Sequence, residues 1–210
     1  LCFLKKFKNT LKKDLFTGFV LTCLGGRSKL SYKLTKSENN FLDKIFQNLK
    51  KHQKVFVRDF DPTSGSDERQ YNSPGFNFPV GQISKLVYGT YKEYHTDGDN
   101  KQLMGIENIL TSINQIIKVI SVIELAGKIS RTMPYGEIFL SKYNLYPHLN
   151  FNSKKTASRK NKNTKIILQI LSYSDGENDL IDIANKIKKP VTELINPIKT
   201  LIGKKIIFIK

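Results

Sequence analysis

An apolar run, an amphipathic segment and a second apolar run follow one another over residues 19–57, and that order confines the fold more than any other part of the chain. Phe19, Val20 and Leu21 begin a run of strand length, and residues 30–34 can continue it or pair with it. From Ser37 onward, Phe41, Ile45, Phe46 and Leu49 recur at three- and four-residue spacing, which predicts a helix with one apolar face. Val55, Phe56 and Val57 then read as a short buried strand. Strand, helix, strand argues for an α/β layer with parallel pairing, in which sites gather beyond the carboxyl ends of the strands.

Two turn-rich stretches follow that unit, and ordinary packing does not ask for either. Residues 65–77 crowd Asp67, Glu68, Arg69 and Tyr71 among Gly65, Ser66, Ser73, Pro74 and Gly75. Residues 93–100 set His95 beside Tyr94 and close to Asp97 and Asp99. Segments of this composition carry sites more often than cores.

The longest helical signal comes next. Leu103, Ile106, Leu110, Ile113, Ile117, Ile120 and Ile123 keep one face apolar, and that face is expected to cover one side of the sheet. Residues 133–147 are punctuated by Pro134, Gly136 and Pro147 and read as irregular. Residues 150–163 are polar and basic, a linker composition. From residue 164 three apolar faces recur, built on Ile166 and Ile170, on Leu180 and Ala184, and on Leu194 and Ile198; a turn and the run 206–209 follow. Three short helices and a strand outline a winged helix. The expected division is therefore 1–149, a linker at 150–163, and a small domain at 164–210. Pro197 falls inside the third helix, where a proline is expected to kink the axis.

Charge and cysteine usage bound the function classes. The net charge of +17 is diffuse, densest at residues 5–13 and 154–165, and reads as a solvated basic surface before it reads as a phosphate-binding face. In the third helix, the element that reads DNA in DNA-binding winged helices, Lys199 is the single cation beside Thr192, Glu193 and Asn196. A structural or protein-contact role is favoured there over specific DNA binding. Cys2 and Cys23 are too few for a disulfide framework, which favours a reducing, cytoplasmic compartment. Cys23 reads as a small core residue of the first strand. No run of roughly 18–20 consecutive apolar residues suggests a membrane span.

The motifs resemble one family. Tyr94, His95, Thr96 and Asp99 match the run that carries the last metal ligand in zinc-dependent aminopeptidases and glutaminyl cyclases. Gly18 through Cys23, Ser31-Tyr32-Lys33, residues 66–78, and Pro134 to Glu137 leading to Leu145, Tyr146 and Pro147 are similar to the bacterial aminopeptidase-like proteins within that group. The resemblance implies the C-terminal part of a zinc-exopeptidase-like αβα sandwich followed by a winged helix, with a peptide or amide as small-molecule substrate and a link to cell-surface polysaccharide pathways. It implies His95 as a zinc ligand and Asp67 and Glu68 at the substrate site. Tyr71 and Tyr94 would then donate hydrogen bonds to a developing oxyanion.

Each of these residues also has a plainer reading. His95 reads equally as a hydrogen-bonded surface histidine, Asp67 and Glu68 as salt-bridge partners of Arg58 or Arg69, and the tyrosines as packed rings. Asp99 either orients the loop or caps a helix starting near Asn100. The His-x-Asp pair and glutamate that complete the zinc site and supply the base in the related enzymes have no counterpart here. The chain therefore reads as a C-terminal fragment, with an incomplete zinc site and no turnover of its own. The second function class is a noncatalytic binding module whose winged helix contacts DNA or a protein partner.

Overall fold

The computed structural model describes residues 1–146 and 154–210, with side chains placed outside 154–162. The chain divides into two compact units, residues 1–120 and 121–210. Two short helices, α1 (Cys2–Lys6) and α2 (Lys8–Asp14), open the first unit without side-chain caps. A four-stranded sheet follows, made of β1 (Gly18–Leu21), β2 (Ser31–Lys33), β3 (Phe56–Arg58) and β4 (Val80–Ser84) in the order β1-β4-β2-β3. β1 runs parallel to β4 and β2 parallel to β3, while β2 and β4 are antiparallel. The expected parallel pairing therefore holds for β2 and β3, while residues 30–34 neither continue nor pair with β1, because β4 lies between them. The antiparallel junction comes from β4, which sequence reading passes over because its inner positions include Gln82 and Ser84.

Side chains alternate across a strand, so the register assigns two faces. Tyr32 and Ile83 are opposite one another on one face, which α3 (Phe41–Lys51) covers with Leu42, Ile45, Phe46 and Leu49, all buried. The Tyr32 ring stacks on Phe46 with centroids 4.0 Å apart. Gly81 makes this possible, because a Cβ there would run into the Tyr32 ring. Each fully buried Leu, Ile or Phe of this layer contributes roughly 1.5–3 kcal/mol of transfer free energy. The entry of α3 is fixed by a capping box: Asn40 Oδ1 accepts from Asp43 N at 3.0 Å and Asp43 Oδ2 accepts from Asn40 N at 3.2 Å. The buried Asp43 carboxylate also accepts from Tyr32 Oη at 2.8 Å and Thr35 Oγ1 at 2.6 Å, so its charge lies among donors.

The opposite face carries Ser31, Lys33, Arg58, Gln82 and Ser84, polar residues that pair across the register. It is covered by the chain after β3, including the one-turn helix α4 (Glu68–Tyr71). A sheet face of this composition inside a fold needs its own hydrogen-bond network.

The long helix α5 (Ile106–Ile123) corrects the expected burial. The stripe of Ile106, Leu110, Ile113, Ile117 and Ile120 is exposed, and Ser112, Ile116, Val119 and Val122 are the buried positions. Ser112 Oγ donates to Leu24 O at 2.9 Å, and Lys85 Nζ donates to Asn108 O at 2.9 Å, which rotates the polar-flanked side of the helix inward. Periodicity identified the helix but could not choose between two apolar sides. Among the described residues α5 is also the one helix long and apolar enough to cross a membrane.

In the second unit β5 (Lys128–Arg131) lies between β6 (Asp175–Asp179) and β7 (Ile207–Ile209), antiparallel to both. Three helices accompany this sheet: α6 (Lys154–Ser172), α7 (Leu180–Lys186) and α8 (Ile195–Gly203). Ile170, Leu180, Ile183, Ala184, Leu194, Ile198 and Leu201 are wholly buried, so the three predicted apolar faces form one core. The expected division at 149/150 is corrected. β5 already belongs to this unit, and α6 begins at Lys154 inside the stretch read as linker, which contains no proline or glycine after that point to stop a helix. Pro147, His148 and residues 150–153 lie outside the described residues. Pro197 is the third residue of α8, where its missing N–H would have had no intrahelical partner, so the expected kink does not arise.

The capping box gives a direct test. Asn40→Ala is expected to lower the unfolding free energy by about 1 kcal/mol, and Asn40→Ser to restore most of it, measured by urea denaturation. An Asn40→Ala variant as stable as the parent would remove the cap from the account of α3.

Candidate functional site

The polar face of the sheet is organised around a buried ion pair. Lys33 Nζ lies 2.8 Å from Glu68 Oε1, with side-chain exposures of 1% and 0%. The remaining valences are filled by the surrounding loop. Lys33 Nζ also donates to Asp61 O at 2.7 Å and to Ser64 O, while Ser66 N donates to Glu68 Oε2 at 2.9 Å. Gln82 Nε2 donates to Glu68 Oε2 at 3.0 Å, and Gln82 Oε1 accepts from Arg58 Nη2 at 3.0 Å. Arg58 Nε donates to Ser31 Oγ at 2.9 Å. Glu68 thus pairs with Lys33, not with Arg58 or Arg69. Gly65 is required where it stands: its φ is +133°, and a Cβ would meet Glu68 Oε1 and come within 2.6 Å of Lys33 Nζ. Asn72 fastens the end of the loop, donating to Glu68 O at 2.8 Å and Val80 O at 2.6 Å.

The other predicted residues of that stretch go elsewhere. Asp67 is exposed and makes no side-chain cap to α4. The Tyr71 ring joins the cluster of Leu4, Phe78 and Val80, which is its packing role.

A second group collects beyond the carboxyl ends of the parallel strands β1 and β4. Thr22 and Cys23 follow β1, and the chain after β4 brings Tyr88, Tyr91, Tyr94, His95 and Asp99. Tyr88 Oη donates to Thr22 Oγ1 at 2.8 Å. Tyr91 Oη is 3.7 Å from Cys23 Sγ and donates to Asp99 Oδ2 at 3.5 Å. The Tyr94 ring packs on Tyr88 and Tyr91 at centroid distances of 5.3 and 5.6 Å and carries the His95 ring stacked at 3.9 Å. His95 is exposed and adopts φ +60°, and Cys23 adopts φ +47°. Left-handed backbone at non-glycine positions is uncommon and collects at functional sites. Cys23 is therefore a loop residue at the end of a strand, half-buried, rather than a core residue within one. Asp99 does not cap a helix, since α5 begins at Ile106; it holds the loop through Tyr91.

The sheet sends the two motif stretches off from opposite ends, because β3 and β4 run in opposite directions. Tyr88 joins them: its hydroxyl shares hydrogen bonds with both Thr22 and Ser66, which ease the upward push that burial gives it. Burial and the neighbouring Cys23 push the Tyr91 hydroxyl up as well. For Arg58, burial lowers the pKa against the opposing pull of Glu68.

The donor set present does not fit zinc. Among the described residues no three of His, Cys, Asp and Glu come together, whereas zinc sites hold three or four such ligands. His95 has Asp99 near it in sequence, but that carboxylate is engaged with Tyr91. Sequence reading missed Lys33 and Gln82 as partners of the Glu68 stretch. The signal that points to them is the polar alternation of Ser31 with Lys33 and of Gln82 with Ser84 in strands that must be buried.

Two predictions follow from these networks. Glu68→Gln leaves the Lys33 ammonium buried without a counter-charge and is expected to cost about 3–5 kcal/mol in chemical denaturation. The paired change Lys33→Met with Glu68→Leu should recover most of that loss, and a Glu68→Gln variant within experimental error of the parent would contradict the network. Alkali gives the second. Burial, then the charge of Asp43, pushes the Tyr32 hydroxyl above the ordinary tyrosine range, and Tyr88 and Tyr91 shift the same way. A folded-state pKa above the unfolded value stabilises the fold below the ordinary value near 10, and that contribution is lost as pH rises past it. Stability should fall from about pH 10 upward, with part of the tyrosinate absorbance appearing only as the protein unfolds.

Comparison with known proteins bears on both units. The model of a domain of unknown function, DUF4910, matches residues 1–126, and a winged helix-turn-helix model matches residues 127–208. A Clostridium acetobutylicum protein named for polysaccharide biosynthesis and an aminopeptidase-like domain is 34% identical over 176 residues, which are 83% of this chain and 39% of that protein. A crystal structure of a C. acetobutylicum protein described as a peptidase superposes with a TM-score of 0.75 and 28% identity, covering 99% of this chain and 45% of the other. The chain thus spans less than half the length of either relative. The mixed α/β unit and the winged helix expected from sequence are both present, and the chain belongs to the DUF4910 family, with a winged helix-turn-helix domain at its carboxyl end.

Proposed function

We propose that this chain is the C-terminal portion of an aminopeptidase-like hydrolase that cleaves a peptide or amide bond in the intact protein, with a link to cell-surface polysaccharide pathways. The observation that carries the reading is the arrangement beyond β1 and β4. A histidine in a left-handed turn is stacked on Tyr94, beside the Tyr91 and Asp99 hydroxyl–carboxylate pair, at the strand ends where α/β enzymes place their sites. The names of the two Clostridium relatives support it. In this reading His95 is a zinc ligand that needs donors from the part of the relatives' length that this chain does not span, and Tyr94 orients its ring. Asp67 is exposed and free to meet a substrate. Glu68 acts through the loop it holds and not by contact. The winged helix is a protein-contact module: the exposed positions of α8 are Asn196, Lys199, Thr200 and Gly203, with one cation among them.

The test is a chimera in which this chain replaces the aligned segment of the Clostridium relative. Hydrolysis of aminoacyl chromogenic amides, lost on addition of a chelator and reduced at least a hundredfold by His95→Ala, is expected of the chimera, and no turnover or stoichiometric zinc of the 210-residue chain alone. A correctly folded chimera unaffected by His95→Ala would reject the assignment. Chelator-sensitive turnover by the isolated chain would show that it holds a complete site.

A further inference from the structure

A cavity of about 510 Å³ lies in the first unit where β4 ends and β2 and β3 begin. Its walls combine two cations, Arg58 and Lys85, with hydroxyls such as Ser31 and Thr90 and apolar side chains such as Phe56 and Leu86; among the described residues no Asp or Glu lines it. Tyr91 is shared with the cluster beyond β1 and β4, so the cavity adjoins that group without being part of the His95 turn.

Its electrostatics are incomplete. Lys85 is 5% exposed, and the one hydrogen bond its ammonium makes among the described residues goes to the neutral carbonyl of Asn108. No carboxylate lies within ion-pair distance of it among those residues. Arg58 is held in plane by Ser31 Oγ and Gln82 Oε1, which leaves its Nη1 amino group without a hydrogen bond among the described residues. Burial lowers the pKa of both groups. Outside the cavity lining but directly across the register from Ser31, the buried hydroxyl of Ser84 has no hydrogen-bond partner among the described residues. Buried cations are ordinarily paired, and an unpaired buried hydroxyl is rare.

We propose that this cavity binds a small organic anion, a carboxylate on a compact apolar body. The carboxylate supplies the counter-charge that Lys85 lacks and an acceptor for the Nη1 group of Arg58, in the planar geometry a guanidinium accepts. The apolar walls take the body, and they favour such a ligand over a strongly hydrated inorganic dianion. The volume falls in the range of small-molecule sites, roughly 300–1,000 Å³. The proposal does not depend on hydrolysis, and its test involves no turnover.

The probe is N-acetyl-leucine, titrated into the 210-residue chain by calorimetry or ligand-observed NMR, with N-acetyl-leucine amide and inorganic phosphate as comparisons. The acid is expected to bind at least tenfold more tightly than the amide, which has the same body without the charge, and more tightly than phosphate. Lys85→Met should weaken binding of the acid at least tenfold. Val87→Trp, which fills the cavity without touching either cation's charge, should do the same, and it keeps the test decisive if Lys85→Met does not fold. No binding of the acid, equal affinity for acid and amide, a preference for phosphate, or binding unchanged in a folded variant would overturn the proposal.

Discussion

The rest of the first unit depends on one buried pair of charges. Lys33 and Glu68 sit at the centre of a sheet face that no hydrophobic layer covers, and each remaining donor and acceptor on them is met by a specific backbone or side-chain atom. A pair of this kind adds little to stability relative to an apolar substitute, because desolvation offsets attraction, but it is costly to half-remove. Its effect is therefore positional. It requires the loop after β3 to return over the sheet at one depth, requires glycine at position 65, and draws Gln82 and Arg58 into line behind it.

That positional effect reaches the strand ends through Tyr88. The loop held by Glu68 presents Ser66 to Tyr88, and Tyr88 in turn bonds to Thr22 at the end of β1. Thr22 adjoins Cys23, whose sulfur lies against Tyr91, and Tyr91 reaches Asp99. A chain of polar contacts thus connects the two motif stretches even though the strands preceding them point in opposite directions.

How far the sequence could be read follows from which residues define each element by themselves. The apolar spacing of Phe41, Ile45, Phe46 and Leu49 is unambiguous, and α3 forms with those residues inward; the same holds for the three faces of the second unit. β4 and β6 were not legible, for different reasons. Gln82 and Ser84 are polar because they serve a partner far away in sequence, and residues 175–179 contain no strand-favouring side chain at all, so only pairing with β5 makes them a strand. α5 was legible as a helix but not in its orientation, because the buried side is held by Ser112, which looks like a surface residue, and by Lys85 reaching the backbone carbonyl of Asn108. At the site, the motif residues were identified by resemblance. That Glu68 faces a lysine thirty-five positions earlier in the chain, and that Asp99 belongs to Tyr91, are matters of tertiary geometry that spacing does not encode.

The exposed stripe of α5 has a consequence for how the molecule behaves among copies of itself. Five large aliphatic side chains at alternating four- and three-residue steps form a seam of the kind that attracts another helix, and it lies open on a molecule whose net charge is +17. At low ionic strength mutual repulsion keeps such molecules apart. At about 0.15 M salt the repulsion extends only about 8 Å, while the attraction between apolar surfaces is not screened. Colloidal behaviour is thereby tied to ionic strength, because added salt weakens the repulsion between the charged molecules while leaving the apolar seam on α5 unchanged.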